Sequence, residues 1–145
     1  MITGVNHVSY TVTDMDRSVA FYRDGLGYSV VSDRNISGEF PKTVTGFDEA
    51  DMRIIHLRGH GQGLELIQYR EPEGAERAPR TCDAGSSHIC FDVEDMDPLV
   101  ERLKELGATF LSEPVPVEGG PNAGKRMVYF LDPDGIPMEF SEYKS

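Results

Sequence analysis

The chain has 145 residues, a mass of 16.1 kDa and a net charge of −11 from 14 basic and 25 acidic residues. A chain of this length can bury a core of its own and normally forms one domain. The strong negative charge argues against nucleic acid or an anionic membrane surface as the main partner. A small anionic substrate is still compatible with it, because a local basic pocket can exist in an acidic protein.

The sequence shows no segment typical of export or membrane insertion. No apolar run approaches the roughly 20 residues that span a bilayer, and the first ten residues lack the basic and apolar regions of a signal peptide. The two cysteines, Cys82 and Cys90, form no C-x-x-C pair, which argues against a disulfide scaffold and a zinc ribbon. We therefore expect a cytoplasmic protein with free thiols.

The first half of the chain predicts one strand, one helix and three further strands. The segment 7–13 alternates apolar and polar residues, as a half-buried strand does. Asp14 or Asp16 can cap the helix that follows, and Gly27 stands where a helix typically ends. Strands are predicted at 28–33, 52–57 and 63–69, and the glycine-rich turn G-H-G-Q-G joins the last two.

The second half predicts the same order of elements after a linker. Residues 71–85 are rich in proline, glycine and charge, which is typical of a connecting segment. A strand opens at His88, and the helix after it carries Leu99, Leu103 and Leu106 on one face. Strands are predicted at 109–112, 125–131 and 137–142, with the turn sequence D-P-D-G between the last two.

The two halves repeat each other in sequence as well as in pattern. H-V-S-Y-T-V-T-D-M-D from His7 aligns without a gap with H-I-C-F-D-V-E-D-M-D from His88, and G-L-E-L-I around Glu65 answers I-P-M-E-F around Glu139. The sequence therefore predicts a single α+β domain over 1–145, built from two βαβββ modules that form paired curved half-sheets around a central site. The modules span about 4–70 and 86–143.

Two histidines and two glutamates occupy equivalent positions of this repeat. His7 and His88 each open a first strand, and Glu65 and Glu139 each lie in a last strand between apolar neighbours. Packing with pseudo-twofold symmetry would bring all four to a common centre. Imidazole and carboxylate ligands suit one divalent ion of Ni, Co, Zn, Mn or Fe, and four protein ligands with positions left open are typical of a catalytic site.

These features together resemble the vicinal oxygen chelate superfamily. F-Y-R-D-G-L-G-Y at 21–28 and F-L-D-P-D-G-I-P-M-E-F at 130–140 are similar to recurrent sequences of its members. The superfamily includes glyoxalase I, methylmalonyl-CoA epimerase, extradiol dioxygenases and fosfomycin- and bleomycin-resistance proteins. The resemblance covers essentially the whole chain. It implies paired modules around a divalent metal ion, a homodimer and a small-molecule substrate that chelates the metal through adjacent oxygens.

The ligand set is most similar to that of bacterial glyoxalase I, whose order of His, Glu, His and Glu this sequence reproduces. The resemblance implies a lyase or isomerase that transfers a proton next to a carbonyl through a metal-stabilised enediolate. Two positions depart from the glyoxalase pattern: Thr11 stands where the glutathione-binding arginine is expected, and Tyr69 where the asparagine is. These departures argue against glutathione as a co-substrate.

Three other activities in the superfamily remain open. A methylmalonyl-CoA-epimerase-like racemase would share the chemistry, with Glu49 as a loosely aligned second acid/base residue. An extradiol-type dioxygenase fits V-Y-F-L-D-P-D-G-I-P-M-E at 128–139, although the histidine of that signature is absent. A non-catalytic antibiotic-binding protein of the bleomycin-resistance type is the alternative that is not an enzyme.

The resemblance also suggests roles for individual residues. Glu139 is the best candidate for the base, because the last-strand glutamate of the family can leave the metal during turnover, and Glu65 is the second candidate. Lys125 and Arg126 follow the glycine-rich segment G-G-P-N-A-G, which often closes over substrate in the family. They are therefore predicted to bind a substrate carboxylate or phosphate, with Glu49 as a further substrate contact.

Overall fold

The computed structural model describes residues 1–75 and 80–143, and the chain divides into two compact units, Met1–Glu76 and Arg77–Ser145. The division falls inside the segment 71–85 that the sequence predicts as a linker. Residues 76–79 of that segment lie outside the described part of the chain. Among the described residues, no helix combines the length and the apolar character that crossing a bilayer requires.

The first unit is built on a four-stranded sheet in the order β1-β4-β3-β2. Strand β1 runs parallel to β4, and the other neighbouring strands are antiparallel. Strand β4 therefore has β1 on one side and β3 on the other. The elements are β1 (Val8–Thr11), α1 (Met15–Ala20) with a π-helical continuation (Phe21–Gly25), β2 (Ser29–Ile36), α2 (Glu39–Thr45), β3 (Asp51–Gly59) and β4 (Gln62–Glu71).

Helix α1 begins and ends where the sequence predicts. The Asp14 side chain accepts a hydrogen bond from the backbone N–H of Arg17 at 3.0 Å, which satisfies one of the free donors of the first turn. Phe21 and Tyr22 are buried. Gly27 has a φ of +75° and donates its N–H to the Arg23 carbonyl, which ends the helical segment.

Helix α2 was not predicted, because its sequence E-F-P-K-T-V-T contains a proline and β-branched residues that disfavour helices. Pro41 lies in the first turn, where a missing N–H costs no helical hydrogen bond. Gly46, with a φ of +76°, ends the helix by donating to the Lys42 carbonyl. The segment between the second and third strands is thus partly helical.

The second unit repeats this topology with a sheet in the order β5-β9-β8-β6, and β7 pairs with β8 off that path. Strand β5 runs parallel to β9, and the other pairs are antiparallel. The elements are β5 (Ile89–Asp92), α3 (Met96–Glu105), β6 (Thr109–Phe110), β7 (Val115–Pro116), β8 (Lys125–Leu131) and β9 (Pro137–Tyr143). The predicted α+β fold with two βαβββ modules is confirmed, and the two-residue strand β7 is an addition.

Helix α3 is amphipathic as predicted, but its buried face is turned from the predicted one. Met96, Val100 and Leu103 are the buried residues, whereas Leu99 and Leu106 are only half-buried. The spacing of the leucines predicted a different face because Met96 and Val100, which begin one turn earlier, form a second apolar row beside them. Leu103 belongs to both rows and is buried, as predicted.

The last strand of each unit separates an apolar face from a polar one. Leu64 and Leu66 are fully buried on either side of Glu65, and Met138 and Phe140 are fully buried on either side of Glu139. Successive side chains of a strand point to opposite faces, so both glutamates lie on the face opposite these apolar residues. This agrees with the prediction from the sequence pattern.

Candidate active site

A tight turn determines which residues stand opposite Glu65. Gly59 pairs with Gln62, so the turn between β3 and β4 contains only His60 and Gly61. Both have a positive φ, +53° and +73°, as two-residue hairpin turns require. Counting outward from this turn pairs His56 with Glu65.

His7 immediately precedes β1 and contacts Glu65 across the parallel strand pair. The His7 Nε2 and the Glu65 Oε1 are 3.5 Å apart, and the Glu65 side chain is 13% exposed. The Asn6 Oδ1 accepts a hydrogen bond from His7 Nδ1 at 2.8 Å. With its proton on Nδ1, a neutral His7 ring directs the lone pair of Nε2 toward the carboxylate.

His56 is a second histidine on the same carboxylate. Its Nε2 lies 2.9 Å from the Glu65 Oε2. Its Nδ1 lies 3.0 Å from the Ser32 hydroxyl, which is the cross-strand neighbour in β2. Glu65 is therefore flanked by His7 and His56, whose ring centroids are 6.2 Å apart.

The second unit contains the corresponding pair. His88 immediately precedes β5, and its Nε2 lies 3.1 Å from the Glu139 Oε2, with the Glu139 side chain 9% exposed. Tyr129 is the cross-strand neighbour of Glu139, the position that His56 holds relative to Glu65. The Tyr129 hydroxyl lies 3.2 Å from the same His88 nitrogen. We call His7–Glu65 the first pair and His88–Glu139 the second pair.

A cavity of about 620 Å³ opens within the second unit beside the second pair. Glu139 and Tyr129 line it, together with apolar side chains that include Leu111, Val115 and Met127. None of its lining residues is a lysine or an arginine. A carboxylate and a phenol in an otherwise largely apolar wall could contact a small molecule bound there.

The charge of Glu139 also raises the pKa values of two neighbouring groups, the Cys90 thiol and the Tyr129 phenol. Partial burial and the Glu139 carboxylate raise the pKa of the Cys90 thiol to about 11. Burial, and then the charge of Glu139, raise the pKa of the Tyr129 phenol. Both groups are therefore protonated near neutral pH, and Cys90 is not a thiolate nucleophile there.

The two pairs fit the donor set of a divalent metal ion, with two donors in each unit. Ligand atoms bound at about 2.1 Å to one ion in a tetrahedral or octahedral arrangement lie roughly 3.0–3.4 Å apart. The separations of 3.5 Å and 3.1 Å in the pairs are close to this range. Within 1–75 and 80–143, no three histidine, cysteine or acidic side chains are grouped closely enough to hold an ion. The predicted four-ligand site therefore stays a prediction.

The predicted substrate-binding cations are already paired with carboxylates. The Lys125 ammonium lies 3.1 Å from Asp92, whose hydrogen bond raises the pKa of Lys125, and 4.7 Å from the centre of the Tyr143 ring. Lys125 and Tyr129 lie on one face of β8, since they are four residues apart along the strand. Lys125 therefore lies on the same face of the sheet as Glu139, but its positive charge is already paired with the Asp92 carboxylate.

Arg126 points away from Glu139. Alternation along β8 places it on the opposite face from Tyr129, where its guanidinium pairs with Glu142 and lies 3.0 Å from Asp97. These contacts join the sheet to helix α3. The placement argues against the predicted role in substrate binding, and we leave Arg126 out of the proposed site.

Glu49 is also separate from the pairs. It lies between α2 and β3, its side chain is 71% exposed, and its carboxylate is 3.4 Å from the Lys42 ammonium. Its contact is this surface lysine and not His7 or Glu65. The placement does not support Glu49 as a second acid/base residue.

Four residues around the pairs are not among the site residues predicted from the sequence, namely Asn6, Ser32, His56 and Tyr129. A signal existed for His56, because counting outward from the His60–Gly61 turn places it opposite Glu65. No signal existed for Ser32, since a register shift near Val30 and Ser32 makes counting along β2 unreliable.

The chain belongs to the Glyoxalase/Bleomycin resistance protein/Dioxygenase superfamily, whose family model matches residues 4–140. This confirms the resemblance that the sequence motifs indicate. The match covers both units and includes both pairs.

Several relatives are enzymes. A 2-epi-5-epi-valiolone epimerase of an Actinomyces species is 36% identical over 142 residues, 93% of this chain and 76% of that protein. An ethylmalonyl-CoA/methylmalonyl-CoA epimerase of Cereibacter sphaeroides is 32% identical over 92% of this chain and 90% of that protein. A lactoylglutathione lyase of Arabidopsis thaliana is 26% identical over 92% of this chain but only 42% of that protein.

Solved structures show the same fold. A glyoxalase family protein of Bacillus cereus superposes with a TM-score of 0.87 at 24% identity, covering 100% of this chain and 97% of that one. The fosfomycin resistance protein FosX of Listeria monocytogenes, solved with Mn(II) and sulfate, superposes with a TM-score of 0.63 at 20% identity, covering 99% and 95%. Divalent metal binding thus occurs within this fold.

Proposed function

We propose that this protein is a divalent-metal-dependent epimerase or isomerase that moves a proton on the carbon next to a carbonyl. The observation that carries the proposal is the occurrence of a histidine–carboxylate pair at the same position of both units. The proposed metal ligands are His7, Glu65, His88 and Glu139. When bound, the metal would act as a Lewis acid that stabilises negative charge on the carbonyl oxygen.

The proposed role of Glu139 is to accept and return the proton. It lines the cavity of the second unit, so a molecule bound there can meet its carboxylate directly. The apolar part of the cavity wall would contact the apolar part of a bound substrate. Tyr129, protonated beside it, can donate a hydrogen bond to a substrate oxygen.

An epimerase reaction is favoured over a glutathione-dependent lyase by three observations. Two of the relatives described above are epimerases, and their alignments with this chain cover 76% and 90% of their own lengths. The two glutathione positions of the glyoxalase pattern hold Thr11 and Tyr69, and Tyr69 packs its ring 6.0 Å from that of Phe47. The cavity wall has no cation among its lining residues, so it offers no charged partner for the carboxylates of glutathione.

The experiment that tests this proposal is solvent exchange at the substrate carbon. The purified protein is loaded in turn with Ni²⁺, Co²⁺, Zn²⁺, Mn²⁺ and Fe²⁺ and incubated in D₂O with 2-epi-5-epi-valiolone, methylmalonyl-CoA or the hemithioacetal of methylglyoxal and glutathione. We expect deuterium to enter one epimerase substrate next to its carbonyl, as followed by NMR. Exchange only with the hemithioacetal would make the protein a lyase of the glyoxalase type.

Matched variants connect any activity to the pairs. His7→Ala and His88→Ala should abolish exchange and metal content together, since each removes one proposed ligand. His60→Gln is the histidine control, because His60 bonds to the Leu26 carbonyl and not to either glutamate. Exchange that is equal in metal-free and metal-loaded protein would contradict the proposal.

We further propose a homodimer, which the superfamily resemblance implies. Light scattering on the purified protein should then give twice the chain mass of 16.1 kDa. A mass of one chain at micromolar concentration would contradict this.

A further inference from the structure

The first unit contains a series of polar contacts that ends on a proposed metal ligand. The Ser32 hydroxyl is hydrogen-bonded to His56 Nδ1 at 3.0 Å, and His56 Nε2 lies 2.9 Å from the Glu65 Oε2. The three residues are cross-strand neighbours in β2, β3 and β4 and therefore lie on one face of the sheet. The pairing of these three strands, rather than a loop, holds the three residues in place.

The tautomer of His56 follows from the groups on either side of it. A serine hydroxyl can donate to His56 Nδ1, which is an acceptor in the neutral ring when the proton is on Nε2. Ser32 thus favours the tautomer in which the Nε2–H of His56 faces the Glu65 carboxylate, which has no proton of its own when ionised.

This contact gives the two oxygens of Glu65 different roles. Oε2 lies 2.9 Å from His56 Nε2, and Oε1 faces His7 Nε2 at 3.5 Å. The carboxylate therefore presents one oxygen toward His7, and rotation about its last bond would break the contact with His56. A glutamate fixed in this way is prepared to bind through a single oxygen.

The second unit does not share this arrangement. Tyr129 stands opposite Glu139 where His56 stands opposite Glu65, and its hydroxyl lies 3.2 Å from His88 Nε2. Glu139 thus has no histidine at the cross-strand position. The two carboxylates of the repeat are held differently although the residues themselves are the same.

We infer that His56 is a positioning residue that, supported by Ser32, fixes Glu65 as a one-oxygen metal ligand and so raises the affinity of the site for its divalent ion. This inference rests on the proposed function, because it assigns His56 a role toward a ligand named there. Hydrogen-bond partners of metal ligands typically contribute roughly 10- to 100-fold in metal affinity.

The test measures metal binding without any substrate. The full chain and its variants are titrated with Co²⁺, with affinity from chelator competition and ligand geometry from the visible absorption spectrum. We expect His56→Ala to weaken Co²⁺ binding roughly 10- to 100-fold with an unchanged spectrum. We expect His56→Gln, whose amide can still donate to Glu65, to recover much of the affinity, and Ser32→Ala to have a smaller effect.

Two more variants separate a positioning role from a general disturbance of β3 and from the loss of a ligand. Ile55→Val alters the same strand on the opposite, buried face and should leave Co²⁺ affinity unchanged. Glu65→Ala removes a proposed ligand and should alter the spectrum as well as the affinity.

Each contrary outcome overturns the inference in a recognisable way. Equal affinity of His56→Ala and the parent would show that His56 does not position Glu65, while the proposed function would stand. A changed spectrum in His56→Ala that His56→Gln does not restore would make His56 a ligand itself. A parent protein that binds none of the divalent ions would overturn both this inference and the proposed function.

Discussion

Glu65 and Glu139 occupy equivalent positions of the repeat, but different neighbours surround their carboxylates. Glu65 contacts two histidines, at 3.5 Å and 2.9 Å. Glu139 contacts one histidine and lines a cavity. Among the described residues, neither forms an ion pair with a lysine or an arginine. The surroundings therefore favour Glu65 as the fixed carboxylate and Glu139 as the one that meets substrate.

The substitution Glu139→Gln tests that difference. The amide keeps an oxygen that can bind a metal but cannot accept the substrate proton, so we expect substantial metal retention and a loss of exchange of about 100-fold or more. Metal content and deuterium exchange are measured on the same preparation. Glu105→Gln, at the exposed end of α3, is the matched control. Complete loss of metal with unfolding would instead make Glu139 a structural ligand.

A second residue-level prediction concerns Asn6. Its side-chain oxygen accepts from His7 Nδ1 at 2.8 Å and so leaves Nε2 available as a ligand. Asn6→Ala should weaken Co²⁺ binding by roughly 10-fold, and Asn6→Asp should retain it, because a carboxylate also accepts this bond. Unchanged affinity in Asn6→Ala would show that the His7 tautomer needs no such partner.

At the scale of elements, the first turn of α3 depends on a residue from β9. Asp95 precedes the helix with a φ of +54° and makes no side-chain cap. Glu142 accepts the Met96 backbone N–H at 2.6 Å instead, and it also pairs with Arg126. The corresponding helix α1 is capped by Asp14, the residue that directly precedes it. The two repeats therefore use different residues to bind a free N–H group of the first helical turn.

Glu142→Gln should lower the free energy of unfolding by about 1 to 3 kcal/mol at neutral pH. The Met96 N–H, and then Arg126, hold the pKa of Glu142 below its ordinary value near 4.5. A carboxyl with a lowered folded pKa stabilises the protein above its unfolded pKa and loses this contribution as the pH falls through the folded value. The difference between the variant and the parent should therefore shrink below about pH 4.

Urea unfolding of the parent, Glu142→Gln and Glu105→Gln across that pH range checks this prediction. Glu105 is exposed, so its substitution should change stability little at any pH. A Glu142→Gln deficit that persists unchanged in acid would contradict an electrostatic origin.

Strands and their faces were predictable because apolar and polar residues alternate so regularly, and Lys125–Leu131 has the predicted bounds. Helix α2 was not predictable, because its sequence contains a proline and β-branched residues that disfavour helices. The histidine–glutamate pairs could be predicted from the repeat. The contacts of Arg126 could not, because it pairs with Glu142 on the neighbouring strand and with Asp97 on helix α3. Recognition of His56 required a register, which a sequence shows only at tight turns.

At the scale of the whole molecule, the proposed ion would bind the folded chain and not the unfolded one, and would therefore stabilise the folded chain. A ligand at 100 times its dissociation constant adds about 2.7 kcal/mol. For a chain of this size that corresponds to an increase in Tm of roughly 5–10 °C. Differential scanning calorimetry with added Co²⁺ and then with a chelator should show the increase and its reversal, and His88→Ala should show neither. An equal shift in His88→Ala would place the ion elsewhere.

The hairpin between β3 and β4 makes the position of Glu65 sensitive to the length of a loop. With only His60 and Gly61 in the turn, the register of β4 against β3 is determined by counting. If one added residue shifted that register by a single place, every side chain of β4 would exchange faces, so Glu65 would turn into the core and Leu64 or Leu66 toward His56. The length of this turn is therefore under a constraint of its own, in addition to the requirement that both of its residues adopt a positive φ.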